Sequence, residues 1–174
     1  MLNSIIRKVT LSDLDTLLSI SKQTFFDAFE ALNNPDDFKT YTDAAFTTDK
    51  LRSELLNPNS EFYFAVYQNN IAGYIKLNFA AAQTEFQDAD ALEVERIYVS
   101  AAYQGKQIGQ LLLEHAVDKA RNANLKYIWL GVFENNTNAI RFYERHGFKK
   151  FSSHYFMVGT DRQTDILMKR IITG

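Results

Sequence analysis

Glu93-Val94-Glu95-Arg96-Ile97-Tyr98-Val99-Ser100-Ala101-Ala102-Tyr103-Gln104-Gly105-Lys106-Gln107-Ile108-Gly109 is the stretch from which the rest of the chain can be read. Its first seven residues alternate as Glu93/Glu95/Ile97/Val99 and Val94/Arg96/Tyr98, the period of a strand. Ser100 to Tyr103 make a turn, and Gln104 to Gly109 lead into a helix that begins Gln110-Leu111-Leu112-Leu113-Glu114. A strand that feeds a glycine-containing turn opening a helix leaves backbone N–H groups pointing at one spot, and the helix dipole adds partial positive charge there. Such a spot favours phosphate without needing a basic side chain. The strand before it offers two carboxylates, so one segment supplies an anion cradle and candidate bases side by side.

Outward from this segment the pattern remains that of alternating strands and helices. Ser4 to Val9 reads as a strand, and Thr10 with Asp13 three residues on marks a helix start. Leu14, Leu17, Leu18 and Phe25 recur at helical spacing, until Asn33-Asn34-Pro35-Asp36-Asp37 breaks the pattern. A second helix is expected over 48–56. Glu61–Tyr67 and Ile71–Phe79 flank Gln68-Asn69-Asn70 as a hairpin. Residues 80–90 read as a loop. After the central strand and its helix come a buried strand over 126–132, an Asn-capped helix ending at His146-Gly147, and two strands over 148–159 and 164–172. The order β-α-α-β-β-β-α-β-α-β-β, without repeat or linker, predicts one α/β domain over 1–174 with helices on both faces of its sheet. The strand–helix–strand unit after Glu93 predicts a right-handed crossover and a parallel strand pair.

Bulk properties exclude several functions. The 174 residues carry a formal charge of −2, which gives no nucleic-acid surface. No cysteine is present, so disulfides, thiolate zinc sites and a cysteine nucleophile are out. No His pair has metal-ligand spacing, and no metal is expected. Neither a signal peptide nor a membrane span is read, and a cytoplasmic location is the expectation. His115, His146 and His154 are set aside: one mid-helix, one at a helix end, one in a late strand. Gly-x-Gly-x-x-Gly, Gly-Lys-Ser/Thr and Gly-x-Ser-x-Gly are all absent.

Gly105 and Gly109 let backbone approach a ligand, although a helix start that needs a tight turn would use them too. Glu93 and Glu95 share a face of a regular strand, and either can accept an amine proton directly or through water. The competing reading is an ion-paired strand face, with Arg96 or Lys76 as partner. Tyr143, on the helix after Asn136, can donate a proton to a leaving anion, or can be a core aromatic beside Phe142.

At this point the chain resembles the GNAT superfamily of acyl-CoA-dependent N-acetyltransferases. The resemblance rests on Ile97-Tyr98-Val99 followed by Gln104-Gly105-Lys106-Gln107-Ile108-Gly109, and on Asn136, Ala139, Phe142, Tyr143, Gly147 and Phe148 in order. It implies a mixed, mostly antiparallel sheet whose central parallel pair splays apart, and acetyl-CoA as cosubstrate. It also implies roles. Ile97, Tyr98 and Val99 would pair with the pantetheine arm. Gln104, Gly105, Lys106, Gln107, Ile108, Gly109 and Gln110 would hold the pyrophosphate. Asn136 and Arg145 would reach the cofactor from the second helix. Tyr143 would protonate the departing thiolate, and Glu93 or Glu95 would be the base. Gln107 departs from the pattern, standing where the family has a glycine. The tail from Val158 to Met168 resembles bacterial polyamine (spermidine/spermine) acetyltransferases. A small primary amine, such as a polyamine, is therefore the expected acceptor; Asp27, Glu30, Asp36 and Asp37 are the candidate acids for its mouth, with an ordinary solvated surface as the competing reading. Protein N-terminal or lysine acetylation, and a non-catalytic acyl-CoA-binding module, are the alternatives. Proteins resembling this one are commonly dimers, so a homodimer is expected.

Overall fold

In the computed structural model, which describes residues 4–173, seven strands form one sheet flanked by five α-helices. In chain order these are β1 (Ser4–Lys8), α1 (Leu14–Phe29), α2 (Pro35–Ala45), α3 (Thr48–Leu56), β2 (Ser60–Tyr67), β3 (Asn70–Phe79), β4 (Ala91–Val99), α4 (Ile108–Asn122), β5 (Tyr127–Phe133), α5 (Thr137–Arg145), β6 (Lys149–Val158) and β7 (Asp161–Ile171). The sheet order is β1-β2-β3-β4-β5-β7-β6, and only β4 and β5 run parallel.

That parallel pair is short. It joins Ala91 to Tyr127, Leu92 to Ile128 and Glu93 to Trp129, and then stops. Beyond Glu93, β4 stays with β3 as far as Val99 while β5 stays with β7 as far as Phe133. A wedge therefore opens between their C-terminal ends, as expected of a splayed central pair. An open edge inside a sheet leaves backbone groups free for an added strand.

The alternation read for β4 needs correction. Lys76 pairs with Arg96 and Leu77 with Val94, so Glu95 is an extra residue in a β-bulge. The bulge flips the parity of everything after it. Ile97 and Val99 join Val94 against the core under α4, while Tyr98 packs on the opposite face. Regular alternation would have left two glutamates and two branched aliphatics sharing one face.

The two faces carry separate cores. Ile108, Leu112, Leu113, Ala116 and Val117 of α4 pack with Tyr143 of α5 onto Tyr63, Ala65, Ile75, Leu77 and Leu92. On the other face, Leu14 and Leu17 of α1 and Leu51 of α3 cover Phe62, Phe64 and Tyr74. Phe25 of α1 and Phe38 of α2 extend that layer to Val158 of β6.

A second correction concerns residues 33–37. The first helix does end before them, at Phe29, but they also start α2, a helix the sequence reading lacks. The Asn34 side chain accepts from the N–H groups of Asp36 and Asp37 at 3.0 and 3.4 Å. Pro35 occupies the first helical turn, where its missing N–H costs nothing, and two acids sit at the positive end of the dipole.

Candidate active site

The cradle is built by backbone shape. Gly105 has φ +76° with open space above it, and Gln107 caps α4 in the left-handed region at φ 61° and ψ 14°. Helical bonding begins with the Leu111 N–H to the Gln107 carbonyl. The earlier N–H groups of α4 are thus free to meet an anion, and the first turn carries no acid. The Lys106 ammonium sits 5.2 Å from the Tyr67 ring centre and 5.8 Å from that of Tyr103, which keeps a positive charge beside the cradle. Gly73 on β3 lies so close to the end of β4 that an added Cβ would sit 2.5 Å from the Tyr98 carbonyl. These features fit a pyrophosphate-bearing cosubstrate.

From the cradle side, marked by Val99 and Gln104, a cavity of about 900 Å³ passes through the β4–β5 wedge to the opposite face of the sheet. Ile97, Tyr98, Asn136 and Tyr143 line it, together with Glu93, Glu95 and Arg96. Its far walls are Phe25, Phe29 and Asp27 of α1, Tyr41 of α2, and Tyr155 and Phe156 of β6. Tyr98 stands between Tyr74, Phe25 and Phe29 in a run of ring contacts.

Tyr143 is 8% exposed and packs against Phe142 and Phe148. Burial alone pushes its phenol well above the usual range, so it keeps its proton and can only donate. Asn136 spends its side-chain oxygen capping α5, accepting from the Ala139 N–H at 3.2 Å. Arg145 lies exposed in the last turn of α5 and does not line the cavity.

The two glutamates have different surroundings. Glu93 accepts from the Thr84 N–H at 2.8 Å, from the Thr84 hydroxyl and from Asn78 Nδ2 at 3.0 Å. Burial dominates these bonds and pushes its carboxyl above the ordinary value. Glu95 meets Lys76 Nζ at 2.5 Å, Arg96 at 3.0 Å and Asn78 at 2.6 Å, and Glu54 of α3 closes the group by binding both Lys76 and Arg96. Burial works to raise Glu95 too, but the Arg96 and Lys76 charges outweigh it and hold its carboxyl below the ordinary range. Glu95 has the ion-paired environment, and its proton affinity is too low for a good base.

Of the four acids expected at the mouth, Asp27 alone lines the cavity. Asp37 accepts from the N–H and hydroxyl of Thr160, pinning α2 to the β6–β7 turn. Glu30 borders a smaller hollow, and Asp36 belongs to the α2 start. Two further acids that reach the cavity are not legible in the sequence. Glu85 comes from the β3–β4 connection and Asp165 from β7, with His154 of β6 between them. His154, set aside for want of metal-ligand spacing, pairs across the β6–β7 hairpin with Asp165 and meets Glu85 from far along the chain. The connection is held down by Gln83, which accepts from the Trp129 indole N–H at 2.9 Å, and by Phe86 edge-on to the Trp129 ring. Among the described residues no helix is long and apolar enough to cross a membrane.

Comparison with known proteins places this geometry. The chain matches the acetyltransferase (GNAT) family over residues 26–148. An uncharacterized N-acetyltransferase of Lactobacillus delbrueckii subsp. lactis is 40% identical over 165 residues, covering 95% of each chain. A spermidine N(1)-acetyltransferase of Thermoplasma acidophilum is 24% identical over 83% of this chain and 87% of that protein. Among solved structures, a PaiA N-acetyltransferase from Thermoplasma acidophilum in complex with coenzyme A superposes with a TM-score of 0.79 at 22% identity, covering 97% and 98% of the two chains. The ribosomal-protein-S18-alanine N-acetyltransferase from Escherichia coli gives 0.73 at 19% identity over 98% and 95%.

Proposed function

This chain belongs to the acetyltransferase (GNAT) family and uses acetyl-CoA, and we propose that the amine it acetylates is a primary amine of a small molecule, of the polyamine class. The observation that carries this reading is the acceptor half of the cavity: walled on several sides, lined by Asp27, Glu85, Glu93 and Asp165, and backed by aromatic rings. Carboxylates opposite apolar surface suit a chain of methylenes carrying ammonium groups. A peptide acceptor asks instead for an open, shallow groove. The resemblance to spermidine acetyltransferases supports the same class.

When bound, acetyl-CoA supplies the thioester carbonyl carbon that the amine attacks. The cradle and Lys106 hold the pyrophosphate, and Ile97 to Val99 offer free strand edge to the pantetheine arm. A backbone N–H near Ile97 or Tyr98 polarises the carbonyl. Tyr143 protonates the departing sulfur. Glu93, with its raised carboxyl, takes a proton from the amine through water, and Glu95 holds Arg96 and Lys76 in place.

The test is free-thiol release from acetyl-CoA across spermidine, spermine, short diamines, aminoglycosides, amino acids and peptides. Turnover concentrated on the diamines and polyamines is expected. Turnover on peptides alone would move the acceptor to protein. Tight acetyl-CoA binding without any turnover would favour a binding module.

A further inference from the structure

An ammonium loses two protons in becoming an amide. The nitrogen–carbon bond forms, the carbon–sulfur bond breaks, and sulfur takes a proton from the Tyr143 hydroxyl. One nitrogen proton, removed through Glu93, restores that hydroxyl. The other must leave the protein, and neither glutamate is well placed to carry it. Glu93 is committed to three donors and is only 3% exposed, and Glu95 is committed to two cations.

We propose that His154, oriented by Glu85, accepts this second proton from the incoming ammonium at Nε2 and passes it to solvent; the proposal rests on the amine-acetylation reading above. His154 lines the acceptor half of the cavity with its side chain 29% exposed, so it reaches both substrate space and water. Its Nδ1 lies 2.6 Å from Glu85 Oε2. A carboxylate oxygen accepts, so Nδ1 carries the hydrogen, and in the neutral ring Nε2 then carries the lone pair. Nε2 faces Asp165 Oδ2 at 3.5 Å, too far for a good hydrogen bond and close enough for both atoms to meet one amine. Burial raises the Asp165 carboxyl above its ordinary value.

The charged groups facing His154 are Glu85 from the β3–β4 connection and Asp165 from β7. The same cavity also holds Glu93, Glu95 and Arg96 of β4, Asp27 of α1 and Lys50 of α3. Among its basic side chains, His154 offers an uncommitted nitrogen beside a group that fixes its tautomer. Glu85 acts through that ring and is a positioning residue.

The test compares wild type with His154→Ala, His154→Gln and Glu85→Gln on an amine the enzyme acetylates, across pH and with or without added imidazole. His154→Ala is expected to lower kcat/KM for the amine by about ten- to hundredfold near pH 7. The deficit should shrink as pH approaches the amine's own pKa, imidazole should restore part of the rate, and acetyl-CoA affinity should hold. A wild-type rate in His154→Ala overturns the proposal, as does a loss that is equal at every pH and indifferent to imidazole. A second measurement needs no acceptor. Nitrogen-15 NMR of His154 should report hydrogen on Nδ1 in the wild type and lose that bias in Glu85→Gln, whereas hydrogen on Nε2 overturns the assignment. If the wild type acetylates no amine at all, the acceptor reading fails by itself, and the NMR result still decides whether this imidazole is poised as described.

Discussion

The two ends of the cavity are made differently. The end proposed to take acetyl-CoA is made of backbone: a left-handed Gln107, an unobstructed Gly105, the first turn of α4 and the unpaired edge of β4 beyond Glu93. The acceptor end is made of side chains, brought together from β3, the β3–β4 connection, β4, β6 and β7. A backbone site can hold one cosubstrate through changes in most of its side chains. A side-chain site changes with every substitution. The difference separates what defines the family from what selects the acceptor, and each perturbation below strikes one end or the joint between them.

Tyr143 stands at the joint, and its removal should have the largest effect. Tyr143→Phe deletes a proton donor that burial has kept protonated. Steady-state kinetics should show kcat falling by about 10²–10⁴, with the KM for acetyl-CoA little changed. A wild-type kcat would remove Tyr143 from the chemistry and leave it as core packing beside Phe142 and Phe148.

The paired glutamates come next. Glu95→Gln leaves Arg96 and Lys76 short of a counter-charge in a mostly buried cluster, at a cost of about 3 kcal/mol in denaturant unfolding. The pH dependence is more telling. The folded-state carboxyl of Glu95 lies below its unfolded value of about 4.3, so its contribution is present above that pH and lost as pH falls through the folded value. The carboxyl of Glu93 is raised, so its contribution is present below the unfolded value and lost as pH rises through the folded one. Measured against their Gln variants, wild type should therefore gain stability with rising pH at Glu95 and with falling pH at Glu93. The same sign at both positions would erase the distinction between brace and base.

The same division decides what could be read from the chain. The cradle was legible because a strand, a turn and a helix start are consecutive, and each has a local residue signature between Ile97 and Leu113. The splayed pair followed from the resemblance that those residues carry. The bulge at Glu95 was not legible, since alternation assumes its own continuation. Its one trace was the odd company of Glu93 and Glu95 with Ile97 and Val99. Asn34-Pro35 was legible as the break after the first helix, but the same residues also start the next one, and only the cap bonds from Asp36 and Asp37 show it. The His154–Asp165 pair follows from the register of the β6–β7 hairpin, which strand boundaries read from composition do not fix, and Glu85 was out of reach because it arrives from the β3–β4 connection across the splayed sheet.

Gly73→Ala tests how tightly the cofactor end depends on backbone. The new Cβ would meet the Tyr98 carbonyl at 2.5 Å and the Val99 Cα at 3.2 Å, so β3 must push aside the β4 backbone whose other edge would take the pantetheine arm. Stability should fall by about 1–3 kcal/mol in denaturant titration, with weaker acetyl-CoA binding by calorimetry. Loss of amine selectivity without loss of acetyl-CoA affinity would mean that the two ends are not separable in this way.

Gln107 gives the smallest expected effect and the sharpest view of the cradle. A non-glycine residue at φ 61° pays roughly 1–2 kcal/mol for its left-handed backbone. Glycine at 107 would relieve that strain but enlarge the unfolded ensemble, at a cost of about 0.4–1 kcal/mol. Gln107→Gly should therefore shift stability by about 0 to 1.6 kcal/mol in the stabilising direction. If the cradle works through backbone N–H groups, acetyl-CoA affinity should hold or tighten modestly when the side chain is removed. Gln107→Val keeps a side chain but puts a β-branched residue in the same region, where it is strained. It should weaken both stability and acetyl-CoA binding. A marked loss of acetyl-CoA affinity in the glycine variant, with stability intact, would instead make the glutamine amide a ligand in its own right, and the cofactor end would no longer be a site of backbone alone.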